Sequence, residues 1–160
     1  MKVSFSNLNT LNVFGLRGLF MGLAHLKEIH FSNLNTSRVT TMEYMFGGCC
    51  NLEVIGLSEL NTRNVRCIDY MFCGCSSLKS LDLSNFDTSN FSGMVGVFGQ
   101  CKRLKTLDLS SFNMLNDRQL IGMCFIDCDS LEIIKLPKDK KSREILTNKL
   151  KEDRVQCNII

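Results

Sequence analysis

The chain has 160 residues, 44% of them hydrophobic, and a formal net charge of +3. This length can bury the core of one domain, and the run of about 18 apolar residues that a membrane span needs is absent. Most of the excess positive charge lies in residues 138–154 rather than in the broad basic stripe of a nucleic-acid-binding protein, so neither a membrane span nor nucleic-acid binding is expected.

The dominant feature of the sequence is a repeat with a period of twenty-six positions. It relates Phe5, Phe31, Leu57, Leu83 and Leu109, then Phe20, Phe46, Phe72 and Phe98, and then Cys49, Cys75 and Cys101. Such a period is typical of a solenoid, because one unit cannot bury its apolar face alone whereas stacked units can. We predict five coils, the last with one extra residue near 121–124, since Cys128 follows Cys101 by one position more than the period.

Each repeat begins with a short alternating run, which predicts a strand with one buried face. Six such runs lie at residues 3–5, 29–31, 55–57, 81–83, 107–109 and 134–136, and should pair as a parallel sheet. Apolar residues at helical offsets follow within 39–46 and 65–72, and predict a short helix in each coil. Thr36, Ser37 and Thr62 precede these segments as N-caps would, and Gly47, Gly48 and Gly74 follow them as C-terminal residues would.

The period ends after Pro137. An amphipathic helix is predicted over residues 142–153 and a final strand over 154–160. We therefore divide the chain into a solenoid (1–137) and a C-terminal capping helix and strand (138–160). The first strand has no equivalent cap, so its edge is expected to be bare: either the sequence is a truncated piece of a longer repeat protein, or a partner or a second copy covers that end.

The string MFCGCSSLKSLDLSNFDTSN, from Met71 to Asn90, resembles the repeat of BspA-like leucine-rich-repeat proteins, a family of bacterial and protozoan surface proteins. The resemblance covers residues 3 to about 137. It implies an α/β leucine-rich-repeat solenoid of five coils with the period given above, each with a short parallel strand and a short helix, plus the C-terminal cap. It also implies an adhesin or other binding role at the cell surface. No signal peptide is recognised at the N-terminus, and the free cysteines suit a reducing compartment, so the location stays open.

The cysteines at 49, 75, 101 and 128 form one column, in which Leu23 takes the first place. We predict buried apolar core there, rather than disulfides or metal ligands. The pairs Cys49–Cys50 and Cys73–Cys75 are closer in sequence than the two to four intervening residues usual between zinc ligands, so no metal is predicted. Cys50, Cys67 and Cys73 lie outside the column and are predicted to be the more reactive thiols.

Three polar columns accompany the repeat. They are Ser6, Ser32, Ser58, Ser84 and Ser110; Thr10, Thr36, Thr62 and Thr88; and Asn12, Asn64, Asn90 and Asn116, with Arg38 as the exception in the asparagine column. Hydroxyl and amide groups at fixed turn positions bond the local backbone, so we assign these columns to structure.

The sequence contains no catalytic constellation: His25 and His30 are the only histidines, and no catalytic or phosphate-binding motif accompanies them. We therefore predict no enzyme activity and no cofactor. Asp82 and Asp108 recur because LDLS recurs.

The leading hypothesis is a module that binds a protein or glycan through the outward-facing strand positions. These are Glu28, His30, Val54, Gly56, Ser80, Asp82, Thr106 and Asp108. Their mildly acidic character suits a polar or basic partner, and changing Asp82 and Asp108 to Lys is expected to weaken binding while leaving the fold intact. The alternative is a scaffold that self-associates through its open N-terminal end.

Overall fold

A computed structural model of the chain describes residues 1–6, 10–114 and 120–160. They form a parallel β-solenoid of about six turns, with one helix near the C-terminus. The strands are β1 (Lys2–Ser6), β2 (Glu28–Ser32), β3 (Val54–Gly56), β4 (Ser80–Asp82), β5 (Gly93–Val95), β6 (Thr106–Asp108), β7 (Leu120–Gly122), β8 (Ile133–Lys135) and β9 (Asn158–Ile159), and the helix is α1 (Lys140–Glu152).

The strands are arranged in three parallel sheets, with strand orders β1-β2-β3, β4-β6-β8-β9 and β5-β7. Ile29 lies opposite Ile55 and Leu81 opposite Leu107, so the register predicted from the repeat is confirmed. The predicted strands coincide with β1, β2, β3, β4, β6 and β8 to within a residue or two. The single predicted sheet is divided, however, because β3 and β4 belong to different sheets.

The prediction of a short helix in each coil is wrong: residues 39–46 and 65–72 form turns. Every second N–H group bonds the next coil, as in the 2.9 Å bond from Tyr44 N to Asp69 O, and others close turns within the segment, as in the 2.9 Å bond from Gly47 N to Tyr44 O. Left-handed residues recur four positions apart in each turn, at Tyr44 (φ 53°) and Gly48 (φ 73°) in one coil. These left-handed residues interrupt right-handed helical geometry, so the segments cannot continue as helices.

The predicted helix caps have other roles. Thr36 Oγ1 donates to Asn61 O of the next coil at 3.0 Å, and Thr62 Oγ1 donates to Asp87 O at 3.1 Å. Both threonines are buried, so these bonds satisfy polar groups between coils. The predicted threonine column is therefore structural, although it does not begin helices.

The extra residue of the last repeat lies earlier than predicted. Thr88 Oγ1 still bonds Asn113 O, in the register of the earlier coils, whereas Gly93 lies opposite Leu120, one position later than that register. The added residue therefore enters between Asn113 and Leu120, and not at 121–124. Asn116 of the asparagine column lies in this interval, outside the described residues.

Phenylalanine rings form the centre of the core. Phe20, Phe46, Phe72, Phe98 and Phe125 stack in order, with ring centroids 5.3, 5.8, 6.2 and 5.7 Å apart. The rings of Phe46, Phe72 and Phe98 are fully buried. Each coil thus adds one ring to a continuous column, which aligns the strands at the surface.

The cysteine column is also buried, and all nine cysteines are free thiols. Each thiol of the column donates to the phenylalanine carbonyl of the preceding coil, as in the 3.3 Å bond from Cys75 Sγ to Phe46 O. Leu23, in the first coil, is 40% exposed because no described coil lies over it. The column therefore combines apolar packing with a weak hydrogen bond, which an apolar residue could not supply.

Helix α1 covers the last coil. Asp139 caps its N-terminus by accepting from Ser142 N at 2.8 Å, and Leu146 and Leu150 are buried against the solenoid. After the helix, Asp153 Oδ2 accepts from Phe125 N at 2.8 Å. Strand β9 then pairs with β8. In the described part of the chain, no helix has the length and apolarity needed to cross a bilayer.

Candidate functional site

The predicted strand face alternates as expected. Ile29, Leu81 and Leu107 are buried, while the side chains on either side of them point outward. Of the predicted binding residues, His30, Val54, Ser80, Asp82 and Thr106 are exposed, and Glu28, Gly56 and Asp108 are half-buried. Because β3 and β4 are in different sheets, these residues form two groups instead of one continuous strip.

The first group surrounds Glu28. Its carboxylate is paired with Lys2 and lies 2.9 Å from His30 Nε2, and these hydrogen bonds, from Lys2 first and then His30, hold the pKa of Glu28 below its usual value. The position of Gly56 leaves room for the imidazole, since a Cβ there would lie 2.8 Å from His30 Nδ1. Val54, 46% exposed, is the apolar member of this group. The arrangement is a compact, charge-balanced surface with one apolar side chain.

The second group lines a shallow groove of about 250 Å³ on the sheet β4-β6-β8-β9. Ser80, Asp82, Thr106 and Asp108 meet there. Besides the buried Leu81 and Leu107, the lining includes three residues that the sequence prediction omitted, Ile133, Lys135 and Ile160. Ile133 and Lys135 lie opposite Thr106 and Asp108, so extending the columns by one more coil would have found both. The repeat could not predict Ile160, because β9 lies after α1, where the period has already ended.

Both aspartates of this groove also support the backbone. Asp82 Oδ1 accepts from Ser84 N at 2.9 Å, and Asp108 Oδ1 accepts from Ser110 N at 2.9 Å. Asp108 Oδ2 accepts from Lys135 Nζ at 3.0 Å. Replacing both aspartates by Lys removes the two turn bonds, so the expectation that this change leaves the fold intact does not follow from the structure.

Asp108 has a shifted pKa in this groove. Partial burial alone would raise the pKa of its carboxyl group, but the hydrogen bonds from Ser110 and Lys135 outweigh burial and lower this pKa below its usual value. Asp108 is therefore an ionised acceptor with Lys135 beside it. The groove presents both signs of charge, not the acidic strip expected from the sequence.

The thiols outside the cysteine column include one polar cluster. Cys67 Sγ donates to Glu43 Oε1 at 3.3 Å, Arg17 pairs with Glu43 Oε2 at 2.9 Å, and Asp69 Oδ1 accepts from Val95 N at 2.7 Å. Burial raises the pKa of Cys67 to about 12 and also raises the pKa of Cys73. Both shifts disfavour the thiolate, which is the reactive form, so the prediction of reactive thiols weakens at these two positions.

The cluster of Glu43, Cys67 and Asp69 could offer three ligand atoms to a metal ion, since these atoms lie within 4.8 Å of one another. Each carboxylate already has a protein partner, however, and the thiol is held protonated by burial. We therefore interpret the cluster as a hydrogen-bonded connection between coils.

The polar columns differ in their roles. Asn64 Nδ2 donates to Ser37 O at 2.6 Å and Asn90 Nδ2 donates to Arg63 O at 2.7 Å, so these asparagines tie successive coils together as predicted. The serine column behaves differently. Among the described residues, the hydroxyls of Ser58 and Ser84 make no hydrogen bond, and they are left available at the surface.

A protein-family model described as "Mycoplasma protein of unknown function, DUF285" matches residues 1–81, just over half of the chain. The chain belongs to the DUF285 family. The matched part of this DUF285 chain includes the Glu28 group and ends at Leu81, before most of the groove on the sheet β4-β6-β8-β9. No curated protein matches the chain, and no solved structure does.

Proposed function

We propose that this DUF285 chain is a non-enzymatic binding module of the BspA-like leucine-rich-repeat type, which recognises a protein or a glycan through its strand face. The observation that carries the proposal is the groove of about 250 Å³ on the sheet β4-β6-β8-β9. It combines the carboxylates of Asp82 and Asp108 with the ammonium of Lys135 and the apolar side chains of Ile133 and Ile160. Such a mixture on a rigid surface suits a ligand with both polar and apolar groups.

Binding, rather than catalysis, is favoured by the chemistry of the strand face. The exposed histidine of this face, His30, contacts Glu28, and neither residue has a serine or cysteine nucleophile among its hydrogen-bond partners in the described chain. General acid–base work with a nucleophile needs such a partner within hydrogen-bond reach. An adhesin-type role at the cell surface is part of the same proposal, and it comes from the family resemblance of the repeats.

The test uses changes that leave the turns intact. Asp82→Asn with Asp108→Asn keeps both Oδ1 acceptors for the Ser84 and Ser110 amides while removing the charge. Ligands are selected from a glycan array and from a peptide display library on the immobilised wild-type chain, and affinities are measured by fluorescence anisotropy. We expect at least a fivefold loss of affinity in the double variant and in Ile133→Ala.

The matched control is Lys151→Gln, an exposed residue on α1. We expect it to bind as the wild type does. Equal binding by all variants would place the recognition surface away from the strand face, and the absence of any selected ligand would contradict the binding role.

The alternative is self-association through the first coil. Its support is a cluster of exposed apolar side chains: Leu11, Phe14, Leu19, Met21 and Leu23. Leu19 is 52% exposed, although its equivalent in the next coil, Met45, is fully buried. If this surface associates, sedimentation should give a mass that rises with concentration, and Met21→Glu should abolish the rise. A constant monomer mass at micromolar concentration would refute this alternative.

A further inference from the structure

A second groove, of about 370 Å³, lies on a different part of the solenoid surface. We call it the arginine groove, and its lining is Phe14, Arg38, Thr40, Asn64, Arg66 and Asn90. Its floor is a backbone ladder between coils, with Thr40 N bonded to Phe14 O at 2.9 Å and Arg66 N bonded to Thr40 O at 2.8 Å. Val39 and Val65 are buried beneath it, so the residues flanking them point outward. The groove is therefore held by the same packing as the core.

Arg38 is the exception in the asparagine column, and the structure shows how it fits. Its Nη1 donates to Leu11 O at 3.3 Å, the same bond to the preceding coil that Asn64 and Asn90 make in their coils. The guanidinium carbon also lies 4.5 Å from the centre of the Phe14 ring. Arg38 thus preserves the ladder bond and adds a fixed positive charge to the groove.

Arg66 is a second exception, in the adjacent column. In this column Thr40 Oγ1 donates to Phe14 O of the preceding coil at 3.0 Å. Ser92 Oγ likewise donates to Arg66 O at 3.1 Å. Arg66 occupies the equivalent place between them without a hydroxyl. In the part of the chain that the structure describes, its guanidinium makes no hydrogen bond or ion pair. At this position a free guanidinium therefore replaces the hydroxyl that bonds the preceding coil at Thr40 and Ser92.

The lining of the arginine groove contains two guanidinium groups and no carboxylate. Asn64 and Asn90 use their amide nitrogens for the ladder, so their side-chain oxygens remain as acceptors toward the groove. Phe14 is 52% exposed and supplies an apolar wall. Charge complementarity therefore favours a ligand that brings carboxylates, hydrogen-bond donors and one apolar group together.

We propose that the arginine groove binds an acidic segment of a partner polypeptide, with one carboxylate on Arg38, a second on Arg66 and an apolar side chain against Phe14. Guanidinium and carboxylate groups form bidentate, charge-assisted hydrogen bonds. Backbone N–H groups of the segment meet the oxygens of Asn64 and Asn90. Two cations match a pair of carboxylates, whereas a nucleic acid or a sulfated polysaccharide needs a longer basic track. The surface differs from the strand face in place and in charge, so the inference goes beyond the proposed function.

The experiment selects eight-residue peptides from a display library on the intact wild-type chain. We expect the selected peptides to carry two acidic residues close to an aromatic or aliphatic residue. One synthetic peptide is then labelled, and its affinity is measured by fluorescence anisotropy for the wild type, Arg66→Gln and Arg38→Gln. Each variant should bind at least tenfold more weakly, and replacement of the peptide's acidic residues by their amides should have the same effect.

Arg103→Gln is the matched control, because it removes the same charge from an exposed arginine outside the groove. It should bind as the wild type does. The midpoint of thermal unfolding of Arg66→Gln should equal that of the wild type, since the guanidinium of Arg66 has no intramolecular partner among the described residues. If Arg38→Gln is less stable than the wild type, the affinity of Arg66→Gln alone tests the proposal.

Four results would overturn the proposal. The first is a selection without acidic enrichment, and the second is equal affinity of Arg66→Gln and Arg103→Gln. The third is loss of peptide binding in Asp82→Asn with Asp108→Asn, which would place the peptide on the strand face. Heparin is tested as well, and binding of heparin but of no acidic peptide would assign the groove to polyanions instead.

Discussion

Removing the ring of Phe72 tests the packing that holds the coils together. Phe72 is fully buried, and its ring is nearly parallel to those of Phe46 and Phe98, at interplanar angles of 4°. Truncation of a buried Phe to Ala costs about 3–5 kcal/mol, and stacked aromatic pairs contribute about 0.5–1.5 kcal/mol each beyond their burial. Here two stacked pairs are lost at once.

The cavity at Phe72 cannot easily collapse. Backbone bonds fix the coil spacing on both sides, from Phe46 N to Met71 O at 2.9 Å and from Phe72 N to Val97 O at 3.0 Å. Because the cost rises with the volume of the residual cavity, we expect a value in the upper half of the range, about 4 kcal/mol. With a urea slope of about 2 kcal/mol per molar, the unfolding midpoint should fall by about 2 M.

Urea unfolding followed by circular dichroism measures this loss, with Phe20→Ala as the matched control. Phe20 stacks on one ring of the column, that of Phe46, and is 6% exposed at the end of the solenoid. We expect a smaller loss for Phe20→Ala than for Phe72→Ala. A loss below about 1 kcal/mol for Phe72→Ala, or a larger loss for Phe20→Ala, would refute the reasoning about the core.

The remaining three predictions each concern a single residue. Burial raises the pKa of Cys75, so this thiol should resist alkylation at pH 8 until the chain unfolds in urea, and intact mass under non-reducing conditions should show no disulfide to it. Folding lowers the pKa of Asp108, so the stabilisation that its carboxylate contributes is present above the ordinary aspartate pKa of about 3.9 and is lost as pH falls through the folded pKa. Asp108→Asn should therefore reduce the loss of unfolding free energy on acidification, and an unchanged dependence of stability on acidic pH would contradict this. Gly96 has φ 60° and an added Cβ would overlap the ring of Tyr70, so Gly96→Ala should destabilise the chain by about 1–3 kcal/mol in urea unfolding, and an unchanged midpoint would contradict the clash.

The strands and the core could be predicted because the repeat is regular. A constant offset places equivalent residues in successive coils, so the partners Leu81 and Leu107 follow from arithmetic, as does the stack around Phe72. The outward positions of the strand face then follow from alternation. No knowledge of the connecting segments was required for these predictions.

The turns were not predicted, because their apolar spacing equals that of a helix. Offsets of three and four residues also occur in these turns, in which every second N–H bonds the next coil. Gly48 and Gly74 carry the signature of a left-handed conformation, but Tyr44 and Tyr70 adopt one without it, at φ 53° and 56°. The left-handed region is uncommon for residues other than glycine, so the two tyrosines gave no indication of this conformation.

The candidate site was predicted only in part, because the columns were not followed into the last coil. The columns identify Asp82 and Asp108, and the same arithmetic extended by one coil would have added Lys135, which changes the charge of the groove. The arginine groove depends on Arg38 and Arg66, which break two columns. The repeat could not place these two arginines, because both are departures from it.

The turns of the coils give one face of the solenoid an electrical direction. On this face every second N–H group points toward the last coil and the carbonyl group that accepts it points toward the first, so the dipoles of these peptides add along the axis. The positive pole meets the carboxylate of Asp153 at Phe125 N, while at the negative pole the carbonyls of Arg17, Leu19 and Met21 accept no bond within the described residues. Two copies that met first coil to first coil would therefore oppose like poles on this face, so in the self-association alternative the exposed apolar side chains of the first coil have to outweigh that repulsion.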